Sequence, residues 1–136
     1  DLRFPRPIRW LVALLNGDIL PLKLVNGSTT INSDRLSSGH RVLHPNFISI
    51  DHAQDYLNTL SKAKIEVDPQ QRENLIKEQI QAVAETVKGV AVISSELLAE
   101  VVNLVEYPTA VLGKFSDECM SLPEEVITTV MVNHQR

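Results

Sequence analysis

The sequence predicts a single α+β domain, with antiparallel strands near its start followed by alternating helices and short strands. Its 136 residues, 43% hydrophobic and 22% charged, are enough for one globular domain with its own core. Two Asn-Gly pairs, Asn16-Gly17 and Asn26-Gly27, lie between apolar, strand-forming stretches and predict hairpin turns. Apolar residues then recur at helical spacing after Asp68-Pro69, which predicts a long amphipathic helix.

The first hairpin is predicted from the apolar run at 8–15, which indicates a strand, and from residues 19–25, which would return beside it. Pro21 confines the returning strand to an edge or a bulge, because proline has no N–H to donate to a ladder. A third strand is expected at 28–31, after the second turn. Each of these strands would pair antiparallel with the next one along the chain.

The polar segment 32–44 has no periodicity, so we expect an ordered loop there, followed by a short strand at 47–50. Asp51, with Gln54 three residues on, has the pattern of a capping box and predicts the start of a helix. That helix would bury one apolar face, made of Ala53, Leu57 and Leu60.

The clearest helix begins after a short predicted strand at 65–67. Asp68 is a favoured N-cap, and Pro69 is favoured in a first turn. The apolar residues recur at spacings of four, three and four: Ile76, Ile80, Val83 and Val87. Residues 88–89, Lys-Gly, predict the end of the helix. Gln79 lies off the apolar face, so its replacement by alanine is expected to change stability little.

Residues 90–93 are predicted to form a buried strand, and Ser94 to begin the next helix. Two adjacent apolar stripes give that helix a wide buried face: Leu97, Val101 and Leu104, and Leu98, Val102 and Val105. Pro108 would end the helix, and residues 109–115 would form another strand.

The last helix is predicted to begin at Ser121, with Glu124 three residues on. Its apolar side would consist of Val126, Ile127, Val130, Met131 and His134. The acid pairs at 117–118 and 124–125 are interpreted as helix-start charges, because carboxylates favour the positive end of the helix dipole. They are not expected to perform acid–base chemistry.

Charge is unevenly distributed along the chain. The net charge is −4, yet residues 1–41 carry six basic and three acidic groups, a net +3, which leaves −7 on the remainder. Any contact with phosphate is therefore expected in the first 41 residues. The alternative is that the early arginines only solvate the start of a strand, and the residues alone favour that alternative.

No apolar run approaches about 20 residues and no charged-then-apolar leader is visible, so neither a membrane span nor a signal peptide is predicted. The lone Cys119 cannot form an internal disulfide, which fits a reducing cytoplasm. The chain opens at Asp1 without methionine and stops after Arg136, so we expect it to be an internal piece of a longer protein.

No catalytic or metal centre is predicted from the residues. His40 and His44 have the spacing of helical metal ligands, but Pro45 disfavours a helix there, and no metal site is expected. Cys119 has no adjacent base, and no glycine-rich phosphate loop is present. The aromatic residues are too scattered in sequence for a base-stacking platform, and Trp10 is expected in the core.

Several stretches together resemble one family. They are 4–15, Gly39-His40-Arg41 with His44-Pro45, and 97–108, followed by 113–115, 122–126 and 131–136. In order and spacing they resemble the beta subunit of the bacterial two-subunit glycyl-tRNA synthetase. The resemblance covers nearly the whole chain. It is specific in combination, whereas each piece alone is weak.

If the chain is a member of this family, the resemblance implies that it takes part in the family's reaction. The family joins glycine to tRNA-Gly at the expense of ATP, with Mg, in a cytoplasmic assembly of two alpha and two beta subunits. The alpha subunit carries the catalytic site, and the beta subunit supplies tRNA-binding and scaffolding domains. Residues 1–136 would be one internal domain of the beta subunit, similar to the editing-type module of the phenylalanyl-tRNA synthetase beta chain, with no cofactor of its own.

The expected partners are therefore tRNA-Gly, the alpha subunit and the other beta-subunit domains, and no membrane. The candidate tRNA contacts are Arg3, Arg6, Arg9, Arg35, His40 and Arg41. His40 and Arg41 would either hold a structural corner or contact tRNA, and the structural role is favoured. Two alternatives to a tRNA-contacting domain stay open: a pure interdomain scaffold, and a hydrolytic editing domain for mischarged tRNA.

Overall fold

The computed structural model describes residues 7–133 and has the predicted α+β character, with its strands before its helices. In this range the strands are β1 (Leu11–Val12), β2 (Leu14–Leu15), β3 (Asp18–Ile19), β4 (Lys23–Asn26), β5 (Thr29–Asp34), β6 (Leu36–Ser38) and β7 (Phe47–Ser49). The helices are α1 (Tyr56–Lys62), α2 (Pro69–Thr86), α3 (Ser95–Leu104) and α4 (Glu124–Thr128).

Both predicted turns are confirmed. Strands β2 and β3 pair antiparallel with Leu15 opposite Asp18, so Asn16-Gly17 is the two-residue turn, and Asn16 has a φ of 55°. Strands β4 and β5 pair with Asn26 opposite Thr29, so the second turn lies one residue later than the Asn-Gly pair. Its Gly27 has a φ of 58°, a conformation that glycine adopts without the steric cost of a side chain.

The returning strand is split at Pro21, as expected for a residue without an N–H. Residues 20–22 lie between β3 and β4, and Ser33 of β5 spans the break. The Ser33 hydroxyl donates to the carbonyl oxygen of Leu20 (2.5 Å) and accepts from the N–H of Leu22 (2.8 Å). Strand β5 also pairs in parallel with β1, so the three-stranded sheet has the order β1-β5-β4.

The loop predicted over 32–44 is wrong for its first half. Strand β5 continues to Asp34, and β6 pairs antiparallel with β7, with Ser37 opposite Ile48. Polar residues are accommodated here because the ladder satisfies their backbone groups, and Ser37 is buried. The loop is confined to residues 39–46, between β6 and β7.

The capping box predicted at Asp51 is also wrong. The imidazole Nδ1 of His52 accepts from the N–H of Gln54 (3.2 Å) and caps a 3₁₀ turn, Ala53–Asp55, that leads into α1. Asp51 instead accepts a hydrogen bond from the Ser49 hydroxyl. Within α1, Leu60 is buried as predicted, but Leu57 is exposed.

Helix α2 begins as predicted, with the Asp68 carboxylate accepting from the N–H groups of Gln70 and Gln71. The helix ends near Lys88-Gly89 as predicted, but Lys88 rather than Gly89 has the left-handed conformation. The N–H of Lys88 bonds to the Glu85 carbonyl and that of Gly89 to the Ala84 carbonyl, the pair of bonds of a Schellman motif. Lys88, with a φ of 54°, takes the left-handed position.

A small group of buried residues lies between α2 and α3 and consists of Ile76, Leu98 and Val102, against which Ile80, Val101 and Val105 pack. The guanidinium of Arg72 fastens this pair of helices by donating to the carbonyls of Val102 (2.6 Å) and Glu66. The other three buried apolar residues are Ile50, just after β7, Leu60 in α1 and Ala63 just beyond α1.

Three predicted strands do not form. Residues 65–67, 90–93 and 109–115 are outside any ladder in the described range. Val92, expected to be buried, is 95% exposed, and Val111 is 84% exposed. A strand requires a neighbouring strand, and none of the described residues supplies one to these segments.

The ends of the later helices also differ from expectation. Helix α3 is capped by Ser94 as predicted but ends at Leu104, well before Pro108. Ser121 does not cap α4. It closes a 3₁₀ turn, Asp117–Ser121, by donating to the Glu118 carbonyl. Both acid pairs lie in first turns, as predicted. Beyond α4, Thr129–Asn133 is a π-helical turn, and His134 lies outside the described residues.

Candidate nucleic-acid interface

Arg35 connects separate parts of the strand region. Its guanidinium donates to the carbonyl oxygen of Gly17 (3.0 Å), in the first hairpin turn, and to that of Asp51 (3.2 Å), before α1. Its own carbonyl accepts from the N–H of Ile50 (3.0 Å). Arg35 is therefore a structural clamp in this conformation, and a phosphate would compete with the two carbonyls for its guanidinium.

The Gly39-His40-Arg41 stretch forms a closed loop between β6 and β7. The N–H of Gly39 bonds to the Asn46 carbonyl (3.0 Å), and the N–H of His44 bonds to the His40 carbonyl (2.8 Å). The N–H of His40 reaches the Ala63 carbonyl (2.9 Å) just beyond α1. The loop thus has a fixed shape and is anchored to the helical part of the chain.

The imidazole of His40 caps this loop from within. Its Nδ1 accepts from the N–H groups of Val42 (3.2 Å) and Leu43 (3.1 Å). Both bonds use Nδ1 as an acceptor and close the turn on the imidazole. His40 therefore holds the corner, the role that the sequence favoured.

Arg41 and Arg9 are the candidates whose side chains are exposed to solvent. Arg41 lies in the turn capped by His40, and within residues 7–133 neither arginine forms an ion pair. Trp10, next to Arg9, packs edge-on against Phe47, with ring centroids 6.3 Å apart. Phe47 directly follows the 39–46 loop, so this contact joins the segment that contains Arg9 to the strand that follows the loop of Arg41.

The expectation that Trp10 lies in the core is wrong. Trp10 is 40% exposed and precedes β1, so it is not a core residue. Aromatic side chains that are scattered in sequence meet in space: Trp10 and Tyr56 line one open cleft of about 350 Å³, with Ser37 at its wall. Sequence spacing could not reveal this, because the residues come from separate elements.

Neither a metal cluster nor a membrane-crossing helix accompanies these residues in the described range. Across 7–133, no three His, Cys, Asp or Glu side chains gather as ligands of a metal ion would. None of the helices in that range has the length and apolar character needed to cross a membrane. Cys119 is a free, half-buried thiol. The remaining two candidates, Arg3 and Arg6, lie outside the described residues.

Comparison with known proteins identifies the family. Residues 1–136 match the sequence model of the glycyl-tRNA synthetase beta subunit family. Proteins named glycine–tRNA ligase beta subunit from Acaryochloris marina and Trichodesmium erythraeum are each 61% identical over 136 residues. The protein of that name from Oenococcus oeni is 44% identical over 135 residues.

These alignments cover 99–100% of this chain but 19% of each relative. The chain thus spans about a fifth of the length of the curated relatives it matches. The chain belongs to the glycyl-tRNA synthetase beta subunit family.

Proposed function

We propose that this chain is a non-catalytic internal domain of a glycine–tRNA ligase beta subunit and that it packs against the rest of that subunit. We also propose that its basic face, defined by Arg9 and Arg41, contacts tRNA. The whole enzyme would join glycine to tRNA-Gly with ATP and Mg, in the cytoplasm, with the chemistry on the alpha subunit of an α2β2 assembly. This domain would position the tRNA and support the other domains of the beta subunit.

The observation that carries this proposal is the amount of surface the chain exposes. It exposes 10832 Å². A compact monomer of 15.2 kDa exposes roughly 7,100 Å². The nine residues outside the described range, even counted as a fully unfolded chain, would supply roughly 1,700 Å². An excess of about 2,000 Å² remains, which is large enough for an extensive interface with other domains.

The excess surface is strongly apolar in the later part of the chain. Val90 is 87% exposed, and Val92 and Val111 are exposed to a similar degree. Contiguous exposed apolar surface on a folded protein marks an interaction site. This part carries the net charge of −7, so it would repel RNA, and another protein surface is the better match.

The basic face is the part suited to tRNA. Arg9 and Arg41 have exposed side chains, and the first 41 residues carry a net charge of +3. Contacts of this kind bind the phosphate backbone and position the RNA without reading its sequence. Arg35 and His40 have structural roles instead: Arg35 holds the carbonyls of Gly17 and Asp51, and His40 holds the turn that carries Arg41.

Hydrolytic editing is the less supported alternative. An editing site needs a base or an activated water beside a cleft that admits the ester bond. Among the described residues, the cleft lined by Trp10 and Tyr56 has the hydroxyl groups of Ser37 and Tyr56, and neither a histidine nor a carboxylate borders it. Deacylation of mischarged tRNA by the intact assembly, abolished by Ser37→Ala, would restore this alternative.

The test compares two exposed valines in the intact α2β2 assembly. Val111→Cys reports the apolar surface, and Val42→Cys, at a residue 71% exposed beside Arg41, reports the basic face. Each thiol is labelled with maleimide and quantified by peptide mapping, with and without tRNA-Gly. The two substitutions are chemically matched, and unchanged melting temperatures show that both variants fold.

We expect slow labelling at position 111 whether or not tRNA is present, because protein covers it. We expect fast labelling at position 42 that tRNA slows. Fast labelling at position 111 would contradict the scaffolding role. A labelling rate at position 42 that saturating tRNA does not change would contradict the tRNA-facing role.

A further inference from the structure

We infer that residues 109–112 form an open β-strand edge, and that an extended apolar segment from elsewhere in the beta subunit adds to it as a neighbouring strand. This inference rests on the proposed scaffolding role and specifies how the apolar surface is covered. Its occupant is a piece of the same subunit outside these 136 residues.

A side chain of helix α2, that of Gln79, already forms hydrogen bonds with one edge of this segment. The Gln79 amide donates from Nε2 to the Pro108 carbonyl (3.1 Å) and accepts at Oε1 from the N–H of Ala110 (2.8 Å). A residue in a neighbouring parallel strand would make the same two bonds around Thr109. The backbone at 108–110 is therefore held as a strand is held, with its inner edge satisfied.

The outer edge is the one without a partner. Successive residues of a strand direct their N–H and C=O groups to opposite sides, so those of Thr109 and Val111 point away from Gln79. Within residues 7–133, no backbone group bonds to either residue. An open strand edge invites pairing with another chain segment, and the two residues that face outward here, Thr109 and Val111, are of types enriched in strands.

An apolar groove lies next to this segment, on the side of α2. It has a volume of about 300 Å³ and runs between the second half of α2 and the two extended segments, lined among others by Ile80, Val83, Val87, Val90 and Val111. Its lining is apolar. An added strand would contribute main-chain hydrogen bonds at the outer edge, opposite the side on which Gln79 of α2 bonds.

The choice of occupant follows from charge and chain length. The edge lies in the part of the chain with net charge −7, which disfavours RNA. The matched relatives extend far beyond this segment, since it spans 19% of their length. The remaining four-fifths of such a subunit is covalently linked to this edge and therefore reaches it at high effective concentration.

Amide hydrogen exchange on the unmodified α2β2 assembly tests the inference, read by mass spectrometry with overlapping peptides across 105–116. The N–H groups of Thr109 and Val111 are expected to exchange at least ~100-fold more slowly than unstructured amides, since paired strand amides exchange through local opening. The protection is expected to be unchanged when the assembly is diluted tenfold. Protection that weakens on dilution would assign the edge to a second copy and overturn the inference.

The exchange result separates failure of this inference from failure of the proposed function. Fast exchange at 109 and 111, together with slow maleimide labelling of Val111→Cys, would mean that side chains are covered without strand addition. Fast exchange together with fast labelling would remove both proposals.

A matched pair of proline variants gives a second readout in the intact assembly. Val111→Pro removes the outward N–H, whereas Leu112→Pro removes an inward N–H that has no partner in the described range. If a strand adds to the outer edge, Val111→Pro lowers the melting temperature of the beta subunit by several degrees more than Leu112→Pro does. Equal effects would contradict strand addition.

Discussion

Gly39 lies so close to His44 that a side chain on it would collide. An ideal Cβ at Gly39 would be 2.5 Å from the His44 carbonyl oxygen and 2.6 Å from its Nδ1. The oxygen belongs to the backbone of the loop that Gly39 itself closes, so it cannot move away independently. The glycine is therefore required by close approach of the chain to itself.

Gly39→Ala is accordingly expected to destabilise the domain by about 1–3 kcal/mol, the usual range for overpacking a tight site. Urea unfolding followed by fluorescence of Trp10 measures it. Gly113→Ala is the matched control, because a Cβ there would meet nothing within 4 Å. Equal stability of the two variants would show that the 39–46 loop relaxes freely.

Arg35→Ala is expected to destabilise the fold by about 1.5–3 kcal/mol, the range for a charged hydrogen bond, because two carbonyls lose their donor. Arg9→Ala, at an exposed arginine, should change stability by less than about 0.5 kcal/mol. Thermal unfolding of both variants measures the difference. A stable Arg35→Ala variant with weakened tRNA affinity would transfer Arg35 from the clamp to the interface.

Gln79→Ala is expected to destabilise, contrary to the prediction from helical spacing. The side chain is part-buried, and its removal would leave the N–H of Ala110 without its partner, at a cost of about 1–3 kcal/mol. Gln81→Ala, the same change on the exposed side of α2, should cost far less. If the two melting temperatures fall equally, the bonds around Thr109 contribute nothing to stability.

Ile76→Ala should be the most damaging aliphatic truncation on α2. Ile76 is 6% exposed and lies in the core with Leu98 and Val102, so about 2–5 kcal/mol is expected. Val87→Ala, at a residue 49% exposed, should cost much less. A guanidinium chloride titration of each variant gives both values, and a reversed order would place the core elsewhere.

The double variant Arg9→Gln, Arg41→Gln tests the proposed tRNA interface in the intact assembly. For each phosphate that an arginine no longer neutralises, the slope of log affinity against log salt concentration should become shallower by about 0.7–0.9. Several tRNAs should be affected alike, because binding to the phosphate backbone carries no sequence information. Glycine activation, measured by pyrophosphate exchange, should be unchanged. A folded variant with wild-type affinity and slope would remove these arginines from the interface.

The features that the sequence predicted well are those fixed by neighbours along the chain. The Asn16-Gly17 turn and the Asp68 and Ser94 caps each depend on a few adjacent residues, and all appear in the structure. The cap before α1 was misassigned because Asp51 and His52 are adjacent candidates, and only geometry shows which side chain reaches Gln54.

The strands predicted at 90–93 and 109–115 are unpaired in the described range, for a different reason. Their apolar, β-branched composition is that of buried strands, but strand formation depends on a partner that can lie anywhere in the chain. Similarly, the clamp role of Arg35 joins residues 16–18 positions apart, and no local pattern predicts it. Exposure of Arg41 in a turn, by contrast, follows from its place in a polar loop.

A structure of the intact α2β2 assembly by electron cryo-microscopy is the most direct test of the central claim, that the rest of the beta subunit covers the apolar surface of this domain. We predict that other beta-subunit residues bury about 2,000 Å² of it, including the now exposed Val92 and Val111, and leave Arg9 and Arg41 open to tRNA. An assembly in which Val92 and Val111 still face solvent would contradict this claim.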